Sequence, residues 1–293
     1  MSSWDIVDLL SFARLAGAGR RCAAVACTLI AGCSATVGPT GTSTANLDWQ
    51  MDSELYRASG AGANAEVRYE YPRFDTGQTR PGLAAALNAW VVHRLACEAC
   101  TEHAHPNPDS AARAFLDAFE RETAHLPDEV GIDWFDAHSI RVIHDTDHLI
   151  SLAHNRSWHT GGAHPNSTRA LASFDLESGD ELTLDTILRD GVETRLASLQ
   201  TRALRRAHEL PADADLADAG FITDDDGHVP LSRNFAVVAD GWLFHWDPYE
   251  IAPYAMGPTE ITLGWREIAN LVRRGSPAAP PDPPKVAEDE DDA

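Results

Sequence analysis

The sequence predicts an α+β protein, with an antiparallel sheet and packed helices, on three observations. Three stretches bounded by turn residues are predicted to be strands; these are residues 134–143, 148–158 and 168–176. Residues 83–95 instead repeat apolar side chains at the spacing of one helix face. Asp240-Gly241 lies between two further apolar stretches and is the strongest hairpin signal in the chain.

The N-terminal half, residues 66–150, is predicted to begin with a strand at 66–71, followed by two helices. Pro81 stands where the first turn of a helix tolerates proline. A second helix is predicted to start near Asp109 or Ser110. In the C-terminal half, residues 151–275, a helical stretch is capped by Thr183 or Asp185 and reaches about residue 210. A strand at 259–263 and a helix at 265–272, ended by Gly275, complete this half.

The N-terminus has the features of a bacterial lipoprotein signal. Two arginines precede an apolar run over residues 22–32, which is too short to span a bilayer. The run ends in small residues before Cys33, as in a lipobox. We therefore expect residues 1–32 to be a signal peptide, Cys33 to be lipidated, and residues 33–65 to be a flexible tether. Ser34 and Ala35 favour the outer membrane over the inner one, with the folded part facing the periplasm.

Cys97 and Cys100 are the remaining cysteines after Cys33, and they have C-x-x-C spacing. In an oxidising compartment such a pair favours a structural disulfide. A zinc knot that adds His103 and His105 is the alternative, although nearby prolines favour a loop there.

The chain carries 23 Lys+Arg against 45 Asp+Glu, a formal net charge of −22. Nucleic-acid phosphates and anionic lipid surfaces would repel such a protein, so charge favours a basic partner. Residues 276–293 are rich in proline and acid and are predicted to form a disordered tail. This tail holds six acids and one lysine, a net charge of −5, so the acidity belongs mainly to the folded part.

Two segments have the composition of binding loops. The first is residues 159–166, in which Gly161 and Gly162 permit a tight turn, followed by His164 and Asn166. The second is residues 246–258, which hold three prolines and two tyrosines and present aromatic surface at low entropic cost. Its candidate contact residues are Pro248, Tyr249, Glu250, Pro253 and Tyr254. The alternative is that these aromatic side chains only cover the hydrophobic core and bind no partner.

Three passages together resemble one known family. They are the Gly161–Asn166 turn, the passage from Phe174 to Leu184, and residues 248–261. The similarity is to the extracellular domain shared by the lysozyme-sensing anti-sigma factor RsiV and the non-catalytic N-terminal region of the peptidoglycan deacetylase PdaC. It covers residues 150–272 well, and residues 66–150 only loosely. We expect neither a sigma-binding segment nor a deacetylase domain in this chain.

The resemblance therefore implies a binding module rather than an enzyme, with no cofactor. It implies a basic, lysozyme-like peptidoglycan hydrolase as the partner, bound for lysozyme resistance or as an immunity protein. A peptidoglycan or glycan binder, with tryptophan and tyrosine side chains stacking on sugars, is the alternative. A metal-dependent hydrolase is a third possible function. Five histidines lie close together in the sequence, at positions His144, His148, His154, His159 and His164. Their spacing does not match the ligand spacing of a zinc hydrolase.

Overall fold

The structure, a computed structural model, describes residues 40–42, 47–76, 80–96, 105–127 and 131–280. The expected signal peptide, Cys33, Cys97, Cys100, His103 and residues 281–293 lie outside the described residues. None of the helices in the described part of the chain is long and apolar enough to cross a membrane.

The first sheet has six strands in sequence order. The strands are β1 (Thr40–Thr42), β2 (Asp48–Gly60), β3 (Ala63–Phe74), β4 (Trp134–Asp145), β5 (Leu149–His159) and β6 (Asn166–Asp175). Neighbouring strands are antiparallel except β3 and β4, which are parallel. The parallel pair follows from the long connection between β3 and β4, which contains two helices.

Helices α1 (Pro81–Ala96) and α2 (Pro108–Thr123) cover one face of this sheet. Asn107 accepts a hydrogen bond from the Ser110 backbone N–H at 2.8 Å and so caps α2 at its N-terminus. The apolar faces of both helices pack on alternate residues of the strands; the largest fully buried side chains there are Tyr69, Phe74, Leu87, Leu95, Leu116, Phe119, Ile140, Ile150 and Leu152.

The second sheet is antiparallel and contains β7 (Phe235–Val238), β8 (Gly241–Trp246) and β9 (Thr259–Gly264). Helices α3 (Leu184–Ile187) and α4 (Glu193–Ala207) precede it, and α5 (Trp265–Ile268) follows it. Trp242 and Phe244 are fully buried in its core. The first residue of β8, directly after the β7–β8 turn, must be glycine, because Gly241 has φ +149° and a Cβ there would lie 2.0 Å from the Leu263 carbonyl oxygen.

The second sheet packs on the face of the first sheet that points away from α1 and α2. The Ser151 hydroxyl donates to the Val237 carbonyl oxygen at 2.7 Å, and Ala153 and Leu171 pack on Ala236. Ser151 and Ala153 alternate along β5 with Ile150 and Leu152, which face the helices. The molecule is therefore layered as helices, first sheet and second sheet.

The predicted α+β class is confirmed, and the structure corrects several details. The first sheet is mixed rather than antiparallel. Residues 48–60, expected to belong to the flexible tether, form β2 and pair with β3 along its whole length. The boundary expected between residues 150 and 151 falls inside β5, since both β5 and β6 belong to the first sheet. Ala278, assigned to the tail, is fully buried, and its carbonyl oxygen accepts from Trp242 Nε1 at 3.0 Å.

Candidate functional site

Two loops meet at one end of the molecule. The β5–β6 loop (residues 160–165) and the β8–β9 loop (residues 247–258) are the segments that the sequence favours for binding. The Tyr254 hydroxyl donates a hydrogen bond to the Pro165 carbonyl oxygen at 2.7 Å. The ring of His164 stacks on the ring of Tyr254, with 3.9 Å between centroids and 22° between planes.

Tyr249 extends this arrangement towards solvent. Its ring lies 5.7 Å from that of Tyr254, tilted by 30°. Tyr249 is 60% exposed, the largest exposure among the described large apolar residues. We call His164, Tyr254 and Tyr249 the aromatic stack. Aromatic pairs at such distances contribute about 0.5–1.5 kcal/mol beyond their burial, so the three rings support one another before any partner arrives.

Internal hydrogen bonds and buried side chains fix the conformation of the β8–β9 loop. Tyr249 adopts φ +73°, an uncommon conformation for a residue with a side chain. Hydrogen bonds from the Tyr249 N–H to Ala252 O and from the Asp247 N–H to Glu250 Oε2, at 3.1 and 2.7 Å, maintain the turn. Ile251 and Ala252 are buried in the second core and anchor the loop. Pro248 is half-buried and Pro253 is exposed, and both stiffen the chain.

The β5–β6 loop is equally constrained. Gly161 has φ +83°, which glycine adopts without strain. His159 Nε2 donates to the Gly162 carbonyl oxygen at 3.0 Å, and His164 Nδ1 donates to Pro165 O at 2.9 Å. The Pro165 carbonyl oxygen thus accepts from both members of the stacked pair. Asn166 begins β6 and pairs with Trp158.

A charged cluster lies beneath the β8–β9 loop, and the sequence gives little sign of it. It consists of Arg169, His245, Asp247 and Glu260. His245 contacts Asp247 Oδ1 through Nε2 at 2.9 Å and Glu260 Oε1 through Nδ1 at 3.1 Å. The Arg169 backbone N–H donates to Asp247 Oδ1 at 2.8 Å, and its guanidinium pairs with Glu260 at 3.1 Å. The cluster joins β6, β8 and β9 at the base of the loop.

The side chain of His245 is 4% exposed. Burial opposes a charged imidazole, but the hydrogen bonds to Asp247 and Glu260 outweigh burial and raise the pKa of His245. Because both ring nitrogens face carboxylates, His245 has no free nitrogen with which to act as a general base. Its role is to position Asp247, the first residue of the loop.

A second buried group, which we call the histidine cluster, lies between the first sheet and the helices. It comprises Asp136, His138, His154 and Arg156. Arg156 binds both oxygens of Asp136 at 2.8 Å, and His138 Nε2 lies 3.0 Å from Asp136 Oδ1. His138 Nδ1 lies 3.0 Å from His154 Nε2. The contact between the two imidazoles requires one shared proton.

Protonation in the histidine cluster follows from its burial and its charges. Burial would raise the pKa of Asp136, but hydrogen bonds from His138 and Arg156 outweigh burial and lower it. Burial, together with the charge of His138, holds the pKa of His154 well below its usual value. The chemistry of this cluster is therefore a fixed ion pair beside a neutral imidazole.

The histidines considered for a metal site do not converge. His154 is buried in the first sheet, His159 ends β5, and His164 lies in the β5–β6 loop. His144 and His148 lie beside the β4–β5 turn. Within the described residues, no group of three His, Cys, Asp or Glu side chains is placed to hold a metal ion.

The predicted contact residues are brought together by the fold. Tyr249 and Tyr254 join His164 in the aromatic stack, and Glu250 fixes the turn that presents Tyr249. Gly161 and Gly162 shape the facing loop. That this surface binds a partner stays a prediction. The pairing of the two loops could not be predicted, because it depends on how the second sheet packs on the first.

Residues 185–266 match a family model described as "Protein of unknown function (DUF3298)". The match runs from α3 to α5 and includes the β8–β9 loop. No curated protein matches the chain.

Two solved structures have a similar fold. A DUF3298 family member from Bacteroides fragilis NCTC 9343 is 20% identical, with a TM-score of 0.62, over 79% of this chain and 95% of that chain. A DUF3298 family protein from Pseudomonas aeruginosa PAO1 is 19% identical, with a TM-score of 0.60, over 78% of this chain and 95% of that chain. At such identities the likeness concerns the fold.

Proposed function

We propose that this protein is a lipid-anchored envelope protein that binds and inhibits a lysozyme-like peptidoglycan hydrolase through its aromatic stack. The observation that supports this most is the stack itself, in which His164 and Tyr254 support Tyr249 with 60% of its surface exposed. The resemblance to the lysozyme-sensing family points to the same loops. The anchor at Cys33 and a periplasm-facing position at the outer membrane belong to the proposal.

Rigidity favours this function over a purely structural role. Both loops are closed by internal hydrogen bonds, so little conformational entropy is lost when a partner immobilises them. Tyrosine is enriched among interface residues that dominate binding energy. A side chain needed only to cover the core would be buried, as that of Ile251 is at 2% exposure.

Charge supports the identity of the partner. A chain of net charge −22 attracts a basic protein, and electrostatic steering raises association rates by about 10–1000-fold at low salt. Lysozyme-type hydrolases are strongly basic. The partner could be a host lysozyme or a secreted cell-wall-degrading toxin.

The experiment is a titration of the purified chain with c-type lysozyme, followed by an assay of cell-wall lysis. We expect saturable binding and slowed lysis, both weakened by Tyr254→Ala. Val92→Ala is the matched control, because Val92 is 43% exposed on α1, on the other side of the first sheet. The proposal would be overturned if neither lysozyme nor any peptidoglycan hydrolase encoded by a neighbouring gene binds the chain.

A glycan-binding module is the second candidate, because the exposed ring of Tyr249 could stack on a sugar. Sedimentation with purified sacculi separates the two functions. Binding to sacculi without binding to any hydrolase would favour the glycan module.

A further inference from the structure

Residues 208–234, which connect α4 to β7, pack beside the β8–β9 loop. The Ile222 backbone N–H donates to the Ile251 carbonyl oxygen at 2.8 Å. A Cβ on Gly220 would lie 3.6 Å from Met256 Sδ. Phe221 is buried in the second core and fixes the connection in place. This segment therefore borders the loop that holds the aromatic stack.

Apolar side chains remain exposed where the segment and the loop meet. Ile222 is 52% exposed and Met256 is 37% exposed. A single exposed apolar residue is ordinary on a protein surface. Here two lie on adjoining segments, one of which is the loop that also carries Tyr249.

The segment that carries Ile222 is rich in carboxylates. It holds seven acidic side chains and one basic side chain, Arg233, whose guanidinium pairs with Asp185 outside the segment. Six are exposed aspartates: Asp213, Asp215, Asp218, Asp224, Asp225 and Asp226. Two of these aspartates stabilise the segment itself. Asp215 accepts a hydrogen bond from the Ala217 N–H and Asp224 accepts one from the His228 N–H, each at 2.8 Å.

The other four are surface charges. Within the described residues, the side chains of Asp213, Asp218, Asp225 and Asp226 make no hydrogen bond or ion pair. Like charges concentrated on one segment repel one another, and a cationic partner relieves that repulsion. The segment thus combines an exposed apolar side chain with four carboxylates that have no ion pair in the described part of the chain, and the cation beside Asp213 is the Arg205 guanidinium, which donates to the Ala214 carbonyl oxygen.

We propose that Ile222, Met256 and the six aspartates, here called the acidic shoulder, form a second contact surface for a basic protein. Apolar side chains of the partner would cover Ile222 and Met256, and its lysines and arginines would face the aspartates. The acidic shoulder continues from the aromatic stack, so one partner molecule spans both. This inference rests on the proposed function for the identity of that partner.

Charges at the rim of an interface act mainly on the association rate, whereas buried anchors act on dissociation. The test compares the association rate of c-type lysozyme with the full chain and with a variant that neutralises the four surface charges. The variant is Asp213→Asn, Asp218→Asn, Asp225→Asn and Asp226→Asn. At low salt we expect its association rate to fall by about tenfold, with a shallower dependence on ionic strength. Ile222→Ala should instead speed dissociation.

The matched control changes the net charge equally at exposed carboxylates away from both loops: Asp117→Asn, Glu122→Gln, Asp147→Asn and Glu177→Gln. Denaturant unfolding of both variants verifies that they fold. A smaller effect for the control supports the acidic shoulder. Equal effects would show that total charge steers the partner; this overturns the inference and leaves the proposed function standing.

A basic protein that cleaves no glycan, cytochrome c, separates the two proposals. If the wild-type chain binds no lysozyme, the proposed function fails on its own. Binding of cytochrome c that is lost in the four-aspartate variant but retained in the control would then still support the acidic shoulder. Absence of any such difference would overturn it.

Discussion

The imidazole of His164 lies flat on the phenol ring of Tyr254, 3.9 Å away, and both side chains donate to the same carbonyl oxygen, that of Pro165. This relationship joins the β5–β6 loop of the first sheet to the β8–β9 loop of the second. The surface proposed for binding therefore exists before a partner arrives, and its parts can be tested one by one.

The first prediction separates the ring of Tyr254 from its hydroxyl. Tyr254→Phe keeps the stack and loses one intramolecular hydrogen bond, which we expect to cost about 1 kcal/mol of unfolding free energy while leaving the affinity for the partner nearly unchanged. Tyr254→Ala removes the ring as well, and as a central anchor it should cost at least about 2 kcal/mol of binding free energy, roughly thirtyfold in Kd. Calorimetric titration with lysozyme measures both affinities, and denaturant unfolding measures the stability. An unchanged Kd for Tyr254→Ala would show that the loop assignment is wrong.

The second prediction concerns the coupling of His164 to Tyr254. A double-mutant cycle with His164→Ala and Tyr254→Ala, read by denaturant unfolding, should give a coupling energy of about 0.5–1.5 kcal/mol. The same cycle with Val92→Ala in place of His164→Ala should be additive. Additivity of the two loop variants would mean that the rings do not stabilise each other.

The third prediction is a pH dependence set by His245. Its pKa is raised in the folded state, because the hydrogen bonds to Asp247 and Glu260 outweigh burial. The stability that the charged ring supplies is thus fully present below its unfolded pKa of about 6.5 and is lost as pH rises through the folded pKa. Denaturant unfolding of wild type and His245→Gln should differ most at low pH and converge at high pH. A difference that grows with pH would contradict the assignment.

The fourth prediction tests the histidine cluster. Asp136→Asn leaves Arg156 buried without its carboxylate, and we expect a loss of about 3–5 kcal/mol in unfolding free energy. Asp52→Asn is the control, because its ion pair with Arg73 is exposed and should cost at most about 1 kcal/mol. Similar losses for the two variants would show that the cluster is not critical for stability.

Local sequence signals predicted those helices, strands and turns whose formation depends on residues close together in the chain. The expected hairpin forms, but its two turn residues are Ala239 and Asp240, one position earlier than predicted, and Gly241 begins β8 opposite Val238. Glycine is required at that position because a Cβ would collide with the Leu263 carbonyl. Strand β2 was missed because polar residues such as Asp52, Ser53 and Glu54 interrupt a clean alternation. Its status as a strand depends on pairing with β3.

In the candidate site, too, local features could be predicted from the sequence and long-range contacts could not. The composition of each loop suggested binding, since paired glycines and the Pro-Tyr passage are local features. The charged cluster was not predicted, because Arg169, His245 and Glu260 belong to three strands that only the folded chain brings together. The acidic shoulder was not predicted either, because the contact between its segment and the loop that holds Met256 exists only in the folded chain.

The most direct test of the central claim is the affinity of c-type lysozyme for the full chain and for its Tyr249→Ala/Tyr254→Ala variant. We predict saturable binding by the wild type and a loss of at least about thirtyfold in the variant, which should still unfold in one cooperative transition. Equal affinity of the two proteins, or binding by neither, would contradict the claim that the aromatic stack recognises a lysozyme-like hydrolase.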